Sequence, residues 1–429
     1  MTKIADVLVG GLEGQDVELR GWVYRHRSSG GIVFLVLRDS TGILQVTVNK
    51  ADVDAAVFSA AETTGVEASV VVRGAVVADR RAPGGLEVKA QDYRVVGPSV
   101  NFPIARDLSE EFLLDIRHLH IRSPRIANIL RVRSTVEGAI HEYFREKGFL
   151  EVDPPIITPA GSEGGATLFA LDYFGRRAYL SQSWQLYAEA MVMALEKIYC
   201  VAPSFRAEKS RTSRHLTEYW HAEMEEAWVG MEEVLRHGEG LLAHICGVVA
   251  DINIRELESL KRDREALRRV KPPFPRITYE EALKKLEKVG IQVEWGKDIR
   301  TLEEEALAKM YDNPLVITHF PREGQAFYKR ADPGNPDVVL GFDFIAPEIG
   351  SELIGGSERE PDLEELRKNL LRQGEDPKAY EWYLDSRRYG SVPHSGFGMG
   401  VDRVVRWVTL ADHIRDTIPF PRTPARYYP

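Results

Sequence analysis

What this 429-residue chain lacks narrows it first. It has two cysteines, Cys200 and Cys246. Two isolated thiols give no disulfide framework and no zinc pattern; they suit a reducing cytosol and read as small buried hydrophobes. No apolar run approaches the roughly 18 residues of a membrane span. The N-terminal "MTKIADVLVGGLEG" has no signal or transit character. There is no internal repeat and no low-complexity segment. Positive charge is also short: the net charge of −9 argues against bulk non-specific nucleic-acid binding, while leaving room for a locally basic site. Residues 1–100 hold 11 Lys/Arg and 12 Asp/Glu, so the first part is nearly neutral and the acidity lies further on. What remains is ordinary for a soluble globular protein, 44% apolar and 28% charged. That is enough for a sizeable core and for two or three domains.

Residues 15–97 read as short Val-rich strands, among them "DVELRGWVYRHRS", "GIVFLVLRD" and "GILQVTVN", punctuated by "SSGG", "STG" and "APGG". One helical stretch, about residues 51–62, interrupts them. Five strands and a helix suit a small barrel of the OB type, a fold often used for single-stranded nucleic acid. The expected division is 1–98 for this barrel, 99–126 for a hinge without sustained periodicity, and 127–429 for an α+β domain with a large sheet. A helix is expected from residue 127 to a stop at Gly148.

Three stretches carry chemistry. In "FRAEKSRTSRHLTEYWHAEMEEAW", residues 205–228, two strands flank a basic turn. Period two puts Tyr219, His221, Glu223 and Glu225 on one face of the second strand, and Trp220, Ala222, Met224 and Trp228 on the other. A core does not tolerate the first set unless it lines a cavity; a solvated sheet face is the plainer alternative. In "SVPHSGFGMGVDRVVRWV", residues 391–408, glycines 396, 398 and 400 clear one strand face for a flat ligand or a phosphate. A helix with Arg403 in its first turn follows, where backbone amides favour anions. In "GFDFIAPEIGSELIGGSERE", residues 341–360, Asp343, Glu348 and Glu352 are candidate Mg²⁺ ligands or solvated loop acids.

Together these stretches resemble the class II aminoacyl-tRNA synthetases of the aspartate/asparagine subgroup. "EKGFLEVDPPIITP" resembles motif 1, "FRAE" with "RHLTEYW" motif 2, "GFGMGVDR" motif 3, and residues 21–49 the anticodon-binding barrel. The similarity runs through the whole chain in order, and the lack of a large insertion between motifs 2 and 3 resembles the archaeal branch. The resemblance implies an N-terminal all-β OB barrel joined to an α+β catalytic domain with a large antiparallel sheet. It implies ATP and Mg²⁺, tRNA, and a homodimer through Pro155. Arg206 would hold the α-phosphate and brace the attacking carboxylate. Tyr219 and Arg403 would sandwich adenine, with His215 and Arg403 at the terminal phosphate and Glu208 and Arg214 completing the ATP site. Glu352 and Asp343 would hold the metal. Lys209 and Arg211 would touch the acceptor end of the tRNA. Phe34 and Gln45 would stack on and read the anticodon's middle base; taken without the resemblance, Phe34 reads as core.

The amino-acid pocket is where the subgroup divides. Aspartate enzymes place a Lys three residues after the second Gln of a Gln-Ser-x-Gln motif; here, after Gln182-Ser183-Trp184-Gln185, that position is Ala188. Glu223 stands where aspartate enzymes have Asp. A missing cation and a present carboxylate imply a carboxamide, so L-asparagine and tRNA(Asn) are the expected substrates. By the same resemblance Arg359 would donate to the amide oxygen, Gln185 would contact the α-amino group, and Ser162 and Glu163 would belong to a loop closing over the amino acid. Three residues depart from the pattern: Glu358 in place of Gln, expected to compete for Arg359, Asp402 in place of Glu, and Gly355 in place of Ser. The competing readings are an aspartyl enzyme, including one that charges both tRNAs, a non-catalytic RNA-binding paralogue, and an enzyme making free asparagine.

Overall fold

The structure is a computed structural model describing residues 2–105, 108–159, 161, 168–208 and 214–429. It divides into two compact units, Met1–Leu113 and Leu114–Pro429.

In the first unit, five strands close a barrel in the order β1, β2, β3, β5, β4. They are β1 (Asp16–Ser29), β2 (Ile32–Arg38), β3 (Ile43–Asn49), β4 (Ser69–Ala78) and β5 (Leu86–Gly97). The alternation read from the sequence is the alternation of burial. Val33, Leu35 and Leu37 on β2, and Leu44, Val46 and Val48 on β3, fill the interior. Helix α1 (Ala55–Thr63) adds Phe58 and Ala61 to that core. Closure leaves no free edge apart from the strand ends.

In the second unit, helix α2 (Pro124–Glu146) begins three residues before the expected start. The overlooked signal is Ser123-Pro124: Ser123 accepts from the Ile126 amide as N-cap, and proline suits the first helical position. Gly148, at φ +80°, follows the helix end in the left-handed region, as the sequence suggests. The stretch just before α2 is not unstructured but holds two short helices, Glu110–Asp115 and Arg117–His120.

An eight-stranded sheet organises this unit. In chain order its strands are β6 (Leu150–Glu151), β7 (Lys197–Phe205), β8 (Glu218–Ala227), β9 (Arg276–Thr278), β10 (Leu315–Thr318), β11 (Gly341–Ile345), β12 (Glu352–Glu358) and β13 (His394–Gly400). Across the sheet the order is β9, β10, β11, β12, β13, β8, β7, β6. The six central strands are antiparallel, and the two edge strands pair in parallel. One face packs on α2, on α4 (Met231–Ile252) and on α7 (Val401–Thr409) through Ala222, Met224, Phe344, Phe397 and Met399. Between these helices in the chain lie α3 (Gln185–Leu195), α5 (Thr301–Ala308) and α6 (Glu381–Arg388). Ala222 and Met224 face the core as the period-two pattern requires. Trp228 does not: β8 ends at Ala227, and Trp228 turns out at φ +67° with 67% of its surface exposed. Both cysteines are buried.

Candidate active site

The opposite face of the sheet carries the polar residues. β8 lies against β13 with His221 opposite Gly400, Glu223 opposite Gly398 and Glu225 opposite Gly396. On β12, Gly355 lies opposite Gly398, and on β11 Asp343 lies opposite Gly355. One row across four strands therefore reads Glu223, Gly398, Gly355, Asp343. At a strand spacing of about 4.8 Å the two carboxylate-bearing positions stand roughly 14 Å apart, over a floor two glycines wide.

The glycines have different reasons. A Cβ at Gly396 would meet Glu225 Oε2 at 2.1 Å and the Met224 carbonyl at 2.3 Å, so that glycine makes room for the protein's own carboxylate. A Cβ at Gly398 would lie 3.5 Å from Glu223, an ordinary contact, so there the missing side chain leaves open floor. At Gly355 a Cβ would come within 2.9 Å of Glu352 Oε1 and 3.3 Å of Asp343 Oδ1, which shows the two carboxylates converging.

A cleft of about 670 Å³ opens over one end of this floor. It is lined by Arg206, Glu208, Arg214, His215, Tyr219, Glu352 and Arg403, all named from sequence, and by His221. The Arg206 guanidinium stands 5.6 Å from the centre of the Tyr219 ring. Arg403 donates to the Glu352 carbonyl at 3.0 Å and pairs with its carboxylate at 3.3 Å. Burial raises the Glu352 carboxyl, but Arg403 and Arg206 outweigh it and hold the group below its ordinary range. Burial and the neighbouring Glu352 push Asp343 well above its own. His215 is pushed down by burial and by Arg403. His221 is pushed down to about 3 by burial, Arg206 and Arg403, so it is a neutral imidazole at pH 7.

Arg214 reaches the cleft from a fixed position. It pairs with Glu304 at 2.9 Å and Glu305 at 2.6 Å on α5, and donates to the Ile349 carbonyl. Glu304 also lines a second, polar cavity of about 700 Å³ that meets the first at Glu352 and includes Asp343. Burial and Glu352 raise Glu304 to about 7. Nothing local in the sequence points to Glu304, which tertiary packing brings in from 90 residues beyond Arg214.

At the other end of the floor, Glu223 accepts from the Ser183 hydroxyl and, at 3.2 Å, from the Trp184 amide. Two residues along β8 from Glu223, Glu225 accepts twice from Arg359, at 3.0 and 2.8 Å; Arg359 is 3% exposed and donates once more, to Ser357 at 2.9 Å. Glu358 does not compete for Arg359. It points to the other face of β12, where it pairs with Arg330 and accepts from the Met231 amide at 3.3 Å; neighbouring strand residues face opposite ways. Gln185 donates to Glu189 at 2.9 Å. Glu189 in turn accepts from Tyr383 at 2.7 Å, from Arg387, and contacts His394 at 3.1 Å, a fully buried network the sequence does not announce. Ala188 is fully buried among Trp184, Val192, Ile198 and Cys200.

In the barrel unit, Phe34 is not core. It is half-buried on the outer face, with the Arg27 guanidinium 4.8 Å from its ring centre. Gln45, on the outward face of β3, donates to Glu87 at 2.8 Å. Pro155 is exposed, between Leu150 and Ile157, which are 52% and 46% exposed. Ser162, Glu163, Lys209 and Arg211 lie outside the described residues. Among the described residues no group of three or more His, Cys, Asp or Glu is arranged to hold a metal, and no helix is long and apolar enough to cross a membrane.

Comparison with known proteins places these features in context. Residues 109–424 match the family described as tRNA synthetases class II (D, K and N), and residues 17–96 match the OB-fold nucleic acid binding domain. The asparagine–tRNA ligase of Thermococcus gammatolerans is 47% identical over 418 residues, 97% of each chain. Among solved structures, asparaginyl-tRNA synthetase from Pyrococcus horikoshii complexed with asparaginyl-adenylate is similar at a TM-score of 0.94 and 48% identity, covering 97% of both chains. Aspartyl-tRNA synthetase from Entamoeba histolytica is similar at a TM-score of 0.85 and 25% identity, covering all of this chain and 92% of that one.

Proposed function

This chain belongs to the class II tRNA synthetases of the aspartate, lysine and asparagine group, and on that premise we propose that it activates L-asparagine with ATP and transfers it to tRNA(Asn). The reaction is that of a ligase. An asparagine carboxylate oxygen attacks the α-phosphorus of ATP, the bond to the β-phosphate oxygen breaks, and pyrophosphate leaves. A ribose hydroxyl at the tRNA 3′ end then attacks the acyl carbon, and AMP leaves. Two anions must meet in the first step, so charge neutralisation and positioning are the main tasks.

The chain's own groups suit those tasks. Arg206 neutralises the α-phosphate and the attacking carboxylate. Tyr219 and Arg403 take the two faces of adenine. His215 and Arg403 meet the terminal phosphate, with Glu208 and Arg214 beside them. The convergence of Asp343 and Glu352, where burial and then the neighbouring Glu352 raise the Asp343 carboxyl, fits a divalent cation; these two carboxylates would hold Mg²⁺, an ion that binds through one or two carboxylates together with substrate phosphates. When bound, Mg²⁺ neutralises charge on the phosphates. Gln185 spends its NH₂ on Glu189, which leaves its carbonyl oxygen to accept from the substrate ammonium. Arg359, steadied by Glu225 and Ser357, has five N–H groups in all and three in use, so it retains donors for the amide oxygen. Glu223 accepts from the amide NH₂. By the family resemblance, Ser162 and Glu163 would serve the amino acid and Lys209 and Arg211 the tRNA acceptor end; all four lie outside the described residues.

The observation that carries the choice of asparagine is the pairing of Glu223 with an apolar site at Ala188. A carboxylate ligand would face Glu223 with no cation from that helix position. Phe34 and Gln45 read the anticodon from the outward face of the barrel. Exposed Pro155, Leu150 and Ile157 support a homodimer through this segment, and cytoplasmic residence follows from the tRNA substrate. ATP–pyrophosphate exchange with each amino acid, then charging of purified tRNA(Asn), tests the assignment. Faster exchange with aspartate than with asparagine would overturn it.

A further inference from the structure

Three walls enclose the nucleotide cleft: β8 with Tyr219, the start of α7 with Arg403, and the C-terminal segment with Ile414 and Pro424. One buried ion pair ties all three. Asp402, 1% exposed, accepts from Arg133 Nη1 at 2.5 Å through one oxygen and from the Trp220 amide at 2.9 Å through the other. The same Arg133 nitrogen donates to the Thr417 carbonyl at 3.0 Å, and Arg133 Nε pairs with Glu137 at 2.8 Å along α2. The pairing of β8 with β13 stops at His221 opposite Gly400. One residue further, the Asp402 carboxylate takes over and receives the Trp220 N–H. Residue 220 adjoins Tyr219 and residue 402 adjoins Arg403, so this bridge spans the backbone between the two.

We propose that Asp402, held by Arg133, is a positioning residue that fixes the gap between Tyr219 and Arg403, and with it the fit of the adenine ring. This rests on the assignment of those two residues as the adenine's partners. A ring stacked on both faces needs contacts near 3.5–4.0 Å on each side, and opening one side by about 0.5–1 Å forfeits a quarter to a half of each contact's attraction. The pair is buried and charged, so removing one member leaves the other's charge strained in the interior. Glu137 still accompanies Arg133, which favours a folded variant.

The test uses the full-length enzyme, D402N, R133M and the double variant, in ATP–pyrophosphate exchange with asparagine. Each single variant is expected to raise KM for ATP about tenfold while KM for asparagine stays within about twofold. The double variant is expected to be no worse than the singles, because both charges leave together. Equal rises in both KM values, or a lower unfolding temperature with unchanged KM for ATP, would show the pair to be structural only and would overturn the positioning role. Y219A separates the two levels. If Y219A raises KM for ATP and D402N does not, positioning fails and the adenine assignment stands; if Y219A has no effect, the adenine assignment itself fails.

Discussion

Replacing Glu223 by glutamine (E223Q) puts the specificity argument to its hardest use. In the wild-type pocket an aspartate side chain would meet the Glu223 carboxylate. At about 4 Å and an effective dielectric near 20, two like charges repel by roughly 4 kcal/mol, about three powers of ten in an equilibrium. The substitution removes that repulsion and introduces a defect. Both Ser183 and Trp184 donate to Glu223, and an amide offers a single oxygen, so one donor faces an NH₂ group. A stranded buried donor costs about 1–3 kcal/mol, whichever amino acid is bound. For asparagine, kcat/KM is therefore expected to fall about ten- to a hundredfold. For aspartate the two effects oppose each other, the relief is the larger, and kcat/KM rises about ten- to a hundredfold. The ratio of the two, measured by ATP–pyrophosphate exchange, should shrink by about a thousandfold. A ratio that moves by less than about threefold would show that Glu223 does not face the substrate side chain, and the electrostatic account would be wrong.

Other expected outcomes are more local. G396A should abolish exchange and cost about 1–3 kcal/mol in unfolding experiments, since its Cβ would strike Glu225 and the Met224 carbonyl; G398A should keep wild-type stability and lose substrate affinity. F34A should raise KM for tRNA about tenfold or more, as one lost base stack is worth about 1–3 kcal/mol, while leaving amino-acid activation unchanged in the exchange assay. His215 should give a pH signature. Burial and Arg403 hold it below the ordinary imidazole value, and bound phosphate favours its charged form, so its pKa rises on binding. A group of that kind adds affinity below its free pKa and loses it as pH rises through the bound value. KM for ATP should therefore climb as pH rises from the depressed free value of His215, below the ordinary imidazole range, through its bound value, and more steeply in the parent than in H215Q.

Much of the site is legible in the sequence because it depends on local rules. Period two assigns Tyr219, His221, Glu223 and Glu225 to one face of β8 without any knowledge of what covers that face. Alternate glycines next to a helix start mark a bare floor in the same way. Misreadings arise where a local rule runs out. Trp228 continues the period in sequence, but the strand has already ended. Phe34 is apolar enough for the core, yet its parity on β2 puts it outside, opposite in sense to Val33 and Leu35. Glu358 adjoins Arg359 in the chain and looks like its competitor, although adjacent strand positions face apart. The buried network around Glu189, Arg387 and His394 joins residues about 200 positions apart, and no pattern within either segment announces it.

By itself, then, the order of residues determined which side chains share a face, where helices start, and the absence of an ammonium at position 188, because these follow from backbone geometry and side-chain type. Only the tertiary structure decided which carboxylates would be satisfied from within: Glu225 by Arg359, Glu358 by Arg330, Glu223 by Ser183 and Trp184. Charge in a low-dielectric interior must be balanced by whatever group packing brings near, and that proximity is a property of the folded sheet rather than of any stretch of chain.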